Sequence, residues 1–414
     1  MKSDQSRPLI AGTTAPPVWL MLLAASAAVG IAMGLRQMMG LYMKPITMEL
    51  AIGRQDFALA IAIANLVWGF AAPFMGAISD SYGTARIVMV GGLCSSAGLA
   101  LTMTATSDLQ LYIAGIFLGL GVAGAGVNAM VGAVSRMVPA EQRSMAVAVL
   151  GLGSGTGILV ALPYAHVLIE WIGWKTSLAW LAATALAIVP LAALIRDKPT
   201  ASTVAGGGQT LREALAEALV HPGFWLLNAG FFICGFHVVF FAVHLPAFVA
   251  DLGLPDSVGV AGLTVVGVGN LIGTWLAGEW GRVWPKRWGL SLIYALRSLV
   301  FLGFLFLPMT PVSVVGLSAA LGLLWLSTVP LTSTLVATFF GPAWMTMLYG
   351  VVFFSHQIGA FCGAWAGGLV FDRLKSYDAM WWASVVLGVV AALIHLPIRE
   401  RPVARLAGKG PASV

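Results

Sequence analysis

Long apolar stretches recur about every 35 residues along this chain, separated by short polar segments. A helix rises 1.5 Å per residue, so about 20 apolar residues cross the roughly 30 Å hydrocarbon core of a bilayer. The pattern therefore predicts an all-α membrane protein with twelve transmembrane helices. We place them at approximately Val18–Met43, Phe57–Ser79, Arg86–Thr106, Leu109–Val134, Met145–Ile169, Thr176–Ile195, Phe224–Val249, Val258–Gly281, Gly289–Leu307, Val312–Phe340, Met345–Val370 and Met380–Leu396.

A polar segment, Arg196–His221, divides these spans into six before and six after. Within it, Leu211–Leu219 has the pattern of an amphipathic surface helix. The division predicts two six-helix bundles, residues 1–195 and 222–414, joined by a cytoplasmic linker at 196–221. Six helices, a polar loop and six more helices are typical of a transporter built from two parallel repeats.

Composition agrees with this reading and excludes several functions. The chain is 59% hydrophobic and only 9% charged, whereas soluble domains carry about a quarter charged residues. The net charge of +6 is not concentrated in a soluble domain, so we expect no nucleic-acid partner. Cys94, Cys234 and Cys362 lie in apolar runs at unrelated positions, which predicts neither a disulfide framework nor a metal site. No motif indicates a cofactor.

The distribution of Lys and Arg predicts the orientation. With both termini in the cytoplasm, fifteen basic residues fall on the cytoplasmic side and five on the other, leaving Arg36 and Arg297 inside the membrane. The positive-inside rule favours this topology. We therefore expect a multi-pass inner-membrane protein with cytoplasmic termini.

Arg36 is the most informative residue, because it lies near the centre of the first span. An intramembrane cation is unfavourable by roughly 2.5–3.5 kcal/mol on insertion scales and usually faces a bundle interior or a wet cavity. Arg36 is accordingly predicted to bind an anionic substrate. The alternative is a structural plug that binds helix carbonyls.

Other polar residues lie within the spans, whereas no Asp or Glu lies in the middle of one. A cavity lined by them would be neutral to positive and would favour an anion. A histidine could carry a coupled proton near neutral pH, with His237, His244 and His356 as candidates. Each of these histidines could instead be a hydrogen-bonded core residue, and Asn128 or Asn270 could join helices. The predicted substrate-binding set is Arg36, Gln37, Asn128, His237, Asn270, Trp325, His356 and Gln357.

The loop after the second span contains Gly76, Asp80, Gly83 and Arg86, which resembles the signature of the major facilitator superfamily. The glycines let helix ends approach, and Asp80 could lock the bundles in one state with Arg86 as a partner. These four residues are predicted to act in gating. The second half contains a degenerate copy of this motif, beginning at Gly278, that lacks the acidic residue at the expected position.

The resemblance covers the whole chain and implies the major facilitator fold and a monomer. It also implies a cavity lined by the first, fourth, seventh and tenth helices, with the second, fifth, eighth and eleventh beside it. On that map Arg297, in the ninth span, is structural. Runs beginning at Gly34, Arg143, Cys234 and His356 resemble bacterial relatives of the monocarboxylate transporters and oxalate/formate antiporters. The sequence departs from that group: the eighth span has Asn270 but no Arg or Lys, the eleventh has His356 where the oxalate/formate type has Lys, and the first lacks an acidic-Gly opening.

Two functions therefore stay open. One is alternating-access transport of a small organic anion, a monocarboxylate by resemblance, with possible coupling to protons. The other is export of neutral or amphipathic molecules past the aromatic and Met-rich walls. An enzyme is not expected, because no nucleotide loop, metal spacing or intramembrane carboxylate pair is present in the sequence.

Overall fold

A computed structural model describes residues 16–139, 142–195, 209–341 and 344–407, and within these ranges the side chains of a few residues, Asp80 among them, lie outside the description. The described chain is helical throughout its membrane segments. Its helices are α1 Val18–Gln37, α2 Met43–Leu50, α3 Arg54–Tyr82, α4 Thr84–Met103, α5 Asp108–Ala125, α6 Val127–Met137, α7 Arg143–Leu186, α8 Ile188–Leu194, α9 Leu211–Leu219, α10 Pro222–Asp251, α11 Asp256–Val283, α12 Lys286–Phe306, α13 Pro311–Leu324, α14 Thr328–Phe340, α15 Met345–Leu374, α16 Asp378–His395 and α17 Ala404–Ala407.

Eleven helical stretches in the described residues are long and apolar enough to cross a membrane. One of them, Met145–Leu194, has 50 residues, about 75 Å of helix and roughly two and a half times the hydrocarbon thickness. It is divided at Gly173, whose backbone leaves the helical region at φ 76° and ψ 161°. The predicted twelve-helix, two-bundle fold is thus confirmed.

Four crossings are not single regular helices, and one of them, the sixth, passes from α7 to α8 at Ala187. The first changes after Gln37 into a 3₁₀ segment, Met38–Tyr42, before α2. The fourth is α5 and α6, which meet at Gly126, and the tenth is α13 and α14, which meet at residues 325–327. Short 3₁₀ turns and breaks inside membrane helices free backbone groups for other partners.

Close glycine contacts hold the N-terminal bundle together. A Cβ added to Gly157 on α7 would lie 2.0 Å from the Gly30 carbonyl oxygen on α1, and one added to Gly153 would lie 2.4 Å from the Ser26 carbonyl oxygen. Only glycine permits such an approach of two backbones, as is common between membrane helices.

The predicted linker falls partly outside the described residues. Its described part contains α9, which confirms the surface helix predicted at Leu211–Leu219. Thr210 and Glu213 form a reciprocal capping box at its start, the arrangement that satisfies free N–H groups of a first helical turn. The precise ends of the two bundles remain predictions.

We name the two membrane surfaces by the chain. The near side is where α1 begins at Val18 and α16 ends at His395, and the far side is where α3 begins at Arg54. On the far side the bundles touch: a Cβ added to Gly40 would lie 2.4 Å from the Ala242 carbonyl oxygen, and one added to Gly368 would lie 2.7 Å from that of Arg54.

Four helices, α3, α7, α11 and α15, carry this contact to mid-membrane. Gly69 of α3 lies against Gln357 of α15, with 2.7 Å from an added Cβ to the Gln357 Cβ and Cγ. Gly155 and Ile158 of α7 contact Leu271 and Gly267 of α11.

Two helical turns nearer to the near side, the same faces have separated. Residues seven positions apart on a helix lie on nearly the same face. Four glycines lie at this spacing from the mid-membrane contacts: Gly76 from Gly69, Gly350 from Gln357, Gly151 from Ile158 and Gly278 from Leu271. An added Cβ at any of these four glycines would meet nothing within 4 Å. The interface between the bundles is therefore closed at the far side and open at the near side.

Candidate functional site

Arg36 occupies the last turn of α1, immediately before the 3₁₀ segment. The carbonyl end of a helix carries partial negative charge, which stabilises a cation there. Its Nη2 donates a hydrogen bond of 2.9 Å to Oδ1 of Asn65. Its guanidinium carbon lies 4.9 Å from the centre of the Trp68 ring. Arg36 is thus held by two side chains of α3 in addition to its own helix end.

The orientation of Asn65 follows from its own helix. Its Nδ2 donates to the Ile61 carbonyl at 2.8 Å, one turn earlier in α3. The amide oxygen then has to point the other way, toward Arg36. Asn65 is 3% exposed, so this amide presents a fixed acceptor to the guanidinium.

Arg36 lines a cavity of about 30 Å³ between α1, α3, α4 and α5, room for two or three water molecules. Its polar lining is Arg36, Asn65, Trp68 and Ser95, and the rest is apolar: Ala32, Leu35, Met39, Ile61, Ala64, Leu118, Gly119 and Val122. None of these lining residues is acidic. A guanidinium without a carboxylate neighbour in its own cavity can pair with an anion that enters it.

Aromatic rings connect this cavity to the other bundle. Trp68 packs edge-on against Phe353 of α15, with ring centres 5.2 Å apart. Phe353 in turn stacks on His356 at 5.9 Å, and His356 Nδ1 lies 3.1 Å from Oε1 of Gln357. The Arg36 cavity therefore borders the bundle interface at mid-membrane, where the near-side opening ends.

The other predicted binding residues lie in separate surroundings. His237 is buried in the C-terminal bundle, where Nε2 lies 3.0 Å from the Ser384 carbonyl oxygen of α16. Asn270 accepts a 3.0 Å bond from the Leu326 N–H at the break in the tenth crossing. Asn128 is exposed at the start of α6, and Gln37 is buried. None of these four lines the Arg36 cavity, and their predicted role in binding stays a prediction.

The break between α13 and α14 is held from two sides. Arg297, 0% exposed, donates to the Leu324 carbonyl from Nη2 at 2.6 Å and from Nε at 3.1 Å, and to the Trp325 carbonyl. Asn270 accepts the Leu326 N–H within the break. These bonds agree with the structural role predicted for Arg297, and they fix Trp325, whose ring packs on Phe241 at 5.9 Å.

The far-side contact contains a polar network that sequence reasoning missed. Arg54 at the start of α3 donates two bonds of 2.6 Å to Asp251 at the end of α10 and one of 3.0 Å to the Tyr377 hydroxyl. Asp372 of α15 accepts the backbone N–H groups of Arg54 at 3.0 Å and Gln55 at 2.8 Å. We call Arg54, Asp251, Asp372 and Tyr377 the far-side clamp.

The clamp joins the bundles through an ion pair and through hydrogen bonds to the N-terminus of a helix. A carboxylate at a helix N-terminus binds free N–H groups and interacts favourably with the helix dipole. Here that carboxylate comes from the opposite bundle. The Arg54 guanidinium carbon also lies 3.7 Å from the centre of the Phe371 ring. The sequence offered no local signal, because charges at span ends are common.

The predicted gating motif lies on the near side. Gly76 faces open space, and Gly83 has φ 90°, a conformation that favours glycine, where it ends α3. Arg86 is exposed. The side chain of Asp80 lies outside the described residues, so the predicted interlock stays a prediction.

Comparison with known proteins identifies the family. A profile described as Major Facilitator Superfamily matches residues 25–364. Monocarboxylate transporter 11 of Mus musculus is 27% identical over 383 residues, covering 87% of this chain and 83% of that protein. The uncharacterised MFS-type transporter YhjX of Escherichia coli (strain K12) is 24% identical, covering 83% of this chain and 86% of that protein.

A solved structure shares the fold at low identity. The crystal structure of a bacterial homologue of the human lysosomal transporter Spinster, inward-facing and unoccupied, aligns with a TM-score of 0.72 and 15% identity over 93% of this chain and 97% of that one. Together with twelve membrane crossings, two bundles and the profile match, these findings show that the chain belongs to the Major Facilitator Superfamily and is a membrane transporter, not an enzyme.

Proposed function

We propose that this transporter moves a small organic anion, a monocarboxylate, across the bacterial inner membrane by alternating access. The observation that carries the proposal is Arg36: a cation at mid-membrane, in a cavity whose lining has no acid, beside the interface between the bundles. The relatives named monocarboxylate transporters support the substrate class.

In this proposal the carboxylate enters the Arg36 cavity and displaces its water. Nη2 of Arg36 is bound to Asn65, which leaves the other guanidinium N–H groups for the substrate. The small cavity admits the carboxylate, and the rest of the molecule extends past Trp68 toward α15. There the side chain of Gln357 is 0% exposed, and its Nε2 has no partner among the described residues.

In the proposal the near side faces the cytoplasm, which the positive-inside distribution of Lys and Arg supports. The structure then represents a state open to the cytoplasm and closed at the far side by the clamp. Transport requires the clamp to open while the near side closes. We keep the expectation of a monomer.

Substitution of Arg36 tests the proposal. Arg36→Lys should weaken binding of a monocarboxylate, because an ammonium cannot reproduce the planar grip of a guanidinium. Arg36→Gln should weaken it by about 2–5 kcal/mol, by analogy with truncated charge pairs at interfaces. The measurement is binding of labelled acetate, lactate and pyruvate to purified protein, with the affinity of each acid compared with that of its uncharged amide. A melting curve of each variant is recorded as well. Lys44→Gln, which removes a positive charge from α2 of the same crossing, is the matched control.

Three results would contradict the proposal. Well-folded Arg36→Gln that binds the acids as the wild type does would remove the substrate role of this residue. A lower melting temperature with unchanged affinity would make Arg36 a structural plug. Equal binding of acids and amides by the wild type would favour export of neutral or amphipathic molecules.

A further inference from the structure

His244 of α10 is buried, at 1% exposure, directly behind the far-side clamp. Its Nδ1 lies 3.0 Å from the Tyr377 hydroxyl and its Nε2 lies 2.8 Å from the Ala364 carbonyl oxygen. The same hydroxyl accepts the bond from Arg54. A chain of hydrogen bonds therefore runs from His244 through Tyr377 to the guanidinium that joins the bundles.

The partners determine where each hydrogen lies. A carbonyl oxygen can only accept, so Nε2 of His244 carries a hydrogen. Arginine can only donate, so the Tyr377 oxygen accepts from Arg54 and its own hydrogen is free to point at Nδ1. A neutral imidazole accepts that hydrogen at Nδ1. The closed clamp is thus complete only with His244 neutral.

A proton on Nδ1 is incompatible with this arrangement. Nδ1–H and Arg54 Nη1 would both donate to the Tyr377 oxygen, and the hydroxyl hydrogen would lose its acceptor. An imidazolium would also lie one hydroxyl away from a guanidinium. Like charges at that separation repel, and burial strengthens the repulsion.

The charged groups around His244 come from every helix that packs on it. Arg54 of α3 faces it through Tyr377, which precedes α16. Asp251, on the same helix as His244, binds the Arg54 guanidinium, and Asp372 of α15 binds the Arg54 backbone N–H. Lys375 lies over the Phe371 ring at 6.0 Å. The carboxylates are therefore already paired with Arg54 and its helix end, and the charge that faces His244, one hydroxyl away through Tyr377, is the cationic guanidinium of Arg54.

We infer that His244 is a proton-binding site whose occupancy controls the far-side clamp: the neutral form closes it and the protonated form releases it. The inference rests on the proposed function only in that the clamp opens during transport. Acidification then raises the far-side-open population, and alkalinisation lowers it. Tyr377 is the positioning residue that transmits the change to Arg54.

The other buried histidines in the described chain lack this connection. His237 bonds to Ser384 within the C-terminal bundle, and His356 bonds to its neighbour Gln357. His395 bonds to the Ala391 carbonyl of its own helix and stacks on Tyr294. Of the three histidines predicted to carry a proton, His244 is the one bonded to the clamp.

The test measures the clamp without any substrate. Spin labels at Leu109→Cys on α5 and Val312→Cys on α13 report the far-side separation, since both positions are strongly exposed, at 63% and 82%. Cys94→Ser and Cys362→Ser remove the half-buried native thiols. Distances are recorded on the full-length protein in nanodiscs between pH 8 and pH 5.5, a range that spans the ordinary histidine value of about 6.5.

The wild type should gain far-side-open population as the pH falls, by up to about tenfold per pH unit, the limit for one proton. His244→Gln should show no dependence on pH. Tyr377→Phe keeps the ring but removes the hydroxyl that joins His244 to Arg54, so it should be more open than the wild type at pH 8 and equally insensitive to pH. His395→Gln, an equally buried histidine in α16, should respond as the wild type does.

A wild type without a pH response overturns the inference. So does a pH response that survives in His244→Gln or, if that variant does not fold, in Tyr377→Phe. No carboxylate substrate is added in these measurements. Failure here therefore leaves the Arg36 proposal intact, and failure of carboxylate binding at Arg36 leaves the pH response intact.

Discussion

Removal of Asp251 should open the far side of the transporter. Asp251 accepts two bonds of 2.6 Å from Arg54, and these side chains are 29% and 11% exposed, respectively. Asp251→Ala deletes both bonds and leaves the guanidinium with Tyr377 and the Phe371 ring. The closed state loses this interaction, whereas the far-side-open state, in which the bundles are apart, does not have it.

The size of the effect follows from burial and geometry. Exposed ion pairs contribute about 0.2–1 kcal/mol, and loss of one partner of a fully buried pair costs about 3–5 kcal/mol. The Arg54–Asp251 pair is bidentate and partly buried, so we expect its loss to destabilise the closed state by about 1–3 kcal/mol. The ratio of far-side-open to far-side-closed molecules should then rise roughly 5- to 150-fold.

The assay is the distance between labels at Leu109→Cys and Val312→Cys at constant pH and salt. Asp256→Ala is the matched control, because Asp256 is an exposed carboxylate five residues further along at the start of α11. It removes the same charge from the same side without touching Arg54. Asp251→Asn separates charge from hydrogen bonding, since an amide oxygen can still accept one bond.

A rise of less than about twofold relative to Asp256→Ala would refute this reasoning, because the open-state ratio changes tenfold for each 1.4 kcal/mol. A second measurement follows from screening. In 1 M salt, where the Debye length is about 3 Å, the wild type should shift toward the open state more than Asp251→Ala does. An equal shift in both proteins would place the salt sensitivity outside the clamp.

Two further predictions concern packing and the linker. Gly40→Ala should destabilise the far-side-closed state by about 1–3 kcal/mol through overpacking, because its Cβ would lie 2.4 Å from the Ala242 carbonyl oxygen, and the same labels should report more open molecules. Gly151→Ala, at a position that faces open space, should change nothing. Equal behaviour of the two variants would refute the close contact. Thr210→Ala should weaken α9 by about 0.5–2 kcal/mol, seen as faster hydrogen exchange confined to that helix. The pKa of Glu213 lies below its ordinary value because its carboxylate accepts the Thr210 N–H. This stabilisation should therefore be present at neutral pH and disappear as the pH falls through that lowered pKa. Protection factors in α9, which correct for the intrinsic exchange rate at each pH, would contradict the prediction if they stayed unchanged on acidification.

The membrane class, the twelve crossings and the α9 surface helix could all be predicted from the amino-acid sequence alone. These features are local: bilayer thickness sets the length of an apolar run, and a capping box lies within four residues. The end of the fifth crossing differs from the prediction, because α7 continues past Ile169 and turns at Gly173. The position of Arg36 inside the first crossing could also be predicted, because a charged residue within an apolar run is recognised without knowledge of its contacts.

The contacts of the polar residues, in contrast, depend on tertiary packing and could not be predicted from the sequence. His237 and His244 are two turns apart on α10, yet one bonds to α16 within its own bundle and the other to Tyr377 behind the clamp. Arg54 and Asp251 are separated by 197 residues and each resembles an ordinary charge at a span end. Asn65, the partner of Arg36, resembles any amide in a membrane helix. Helix formation depends on residues three or four positions apart, whereas these contacts depend on how the bundles pack, and no local pattern records that arrangement.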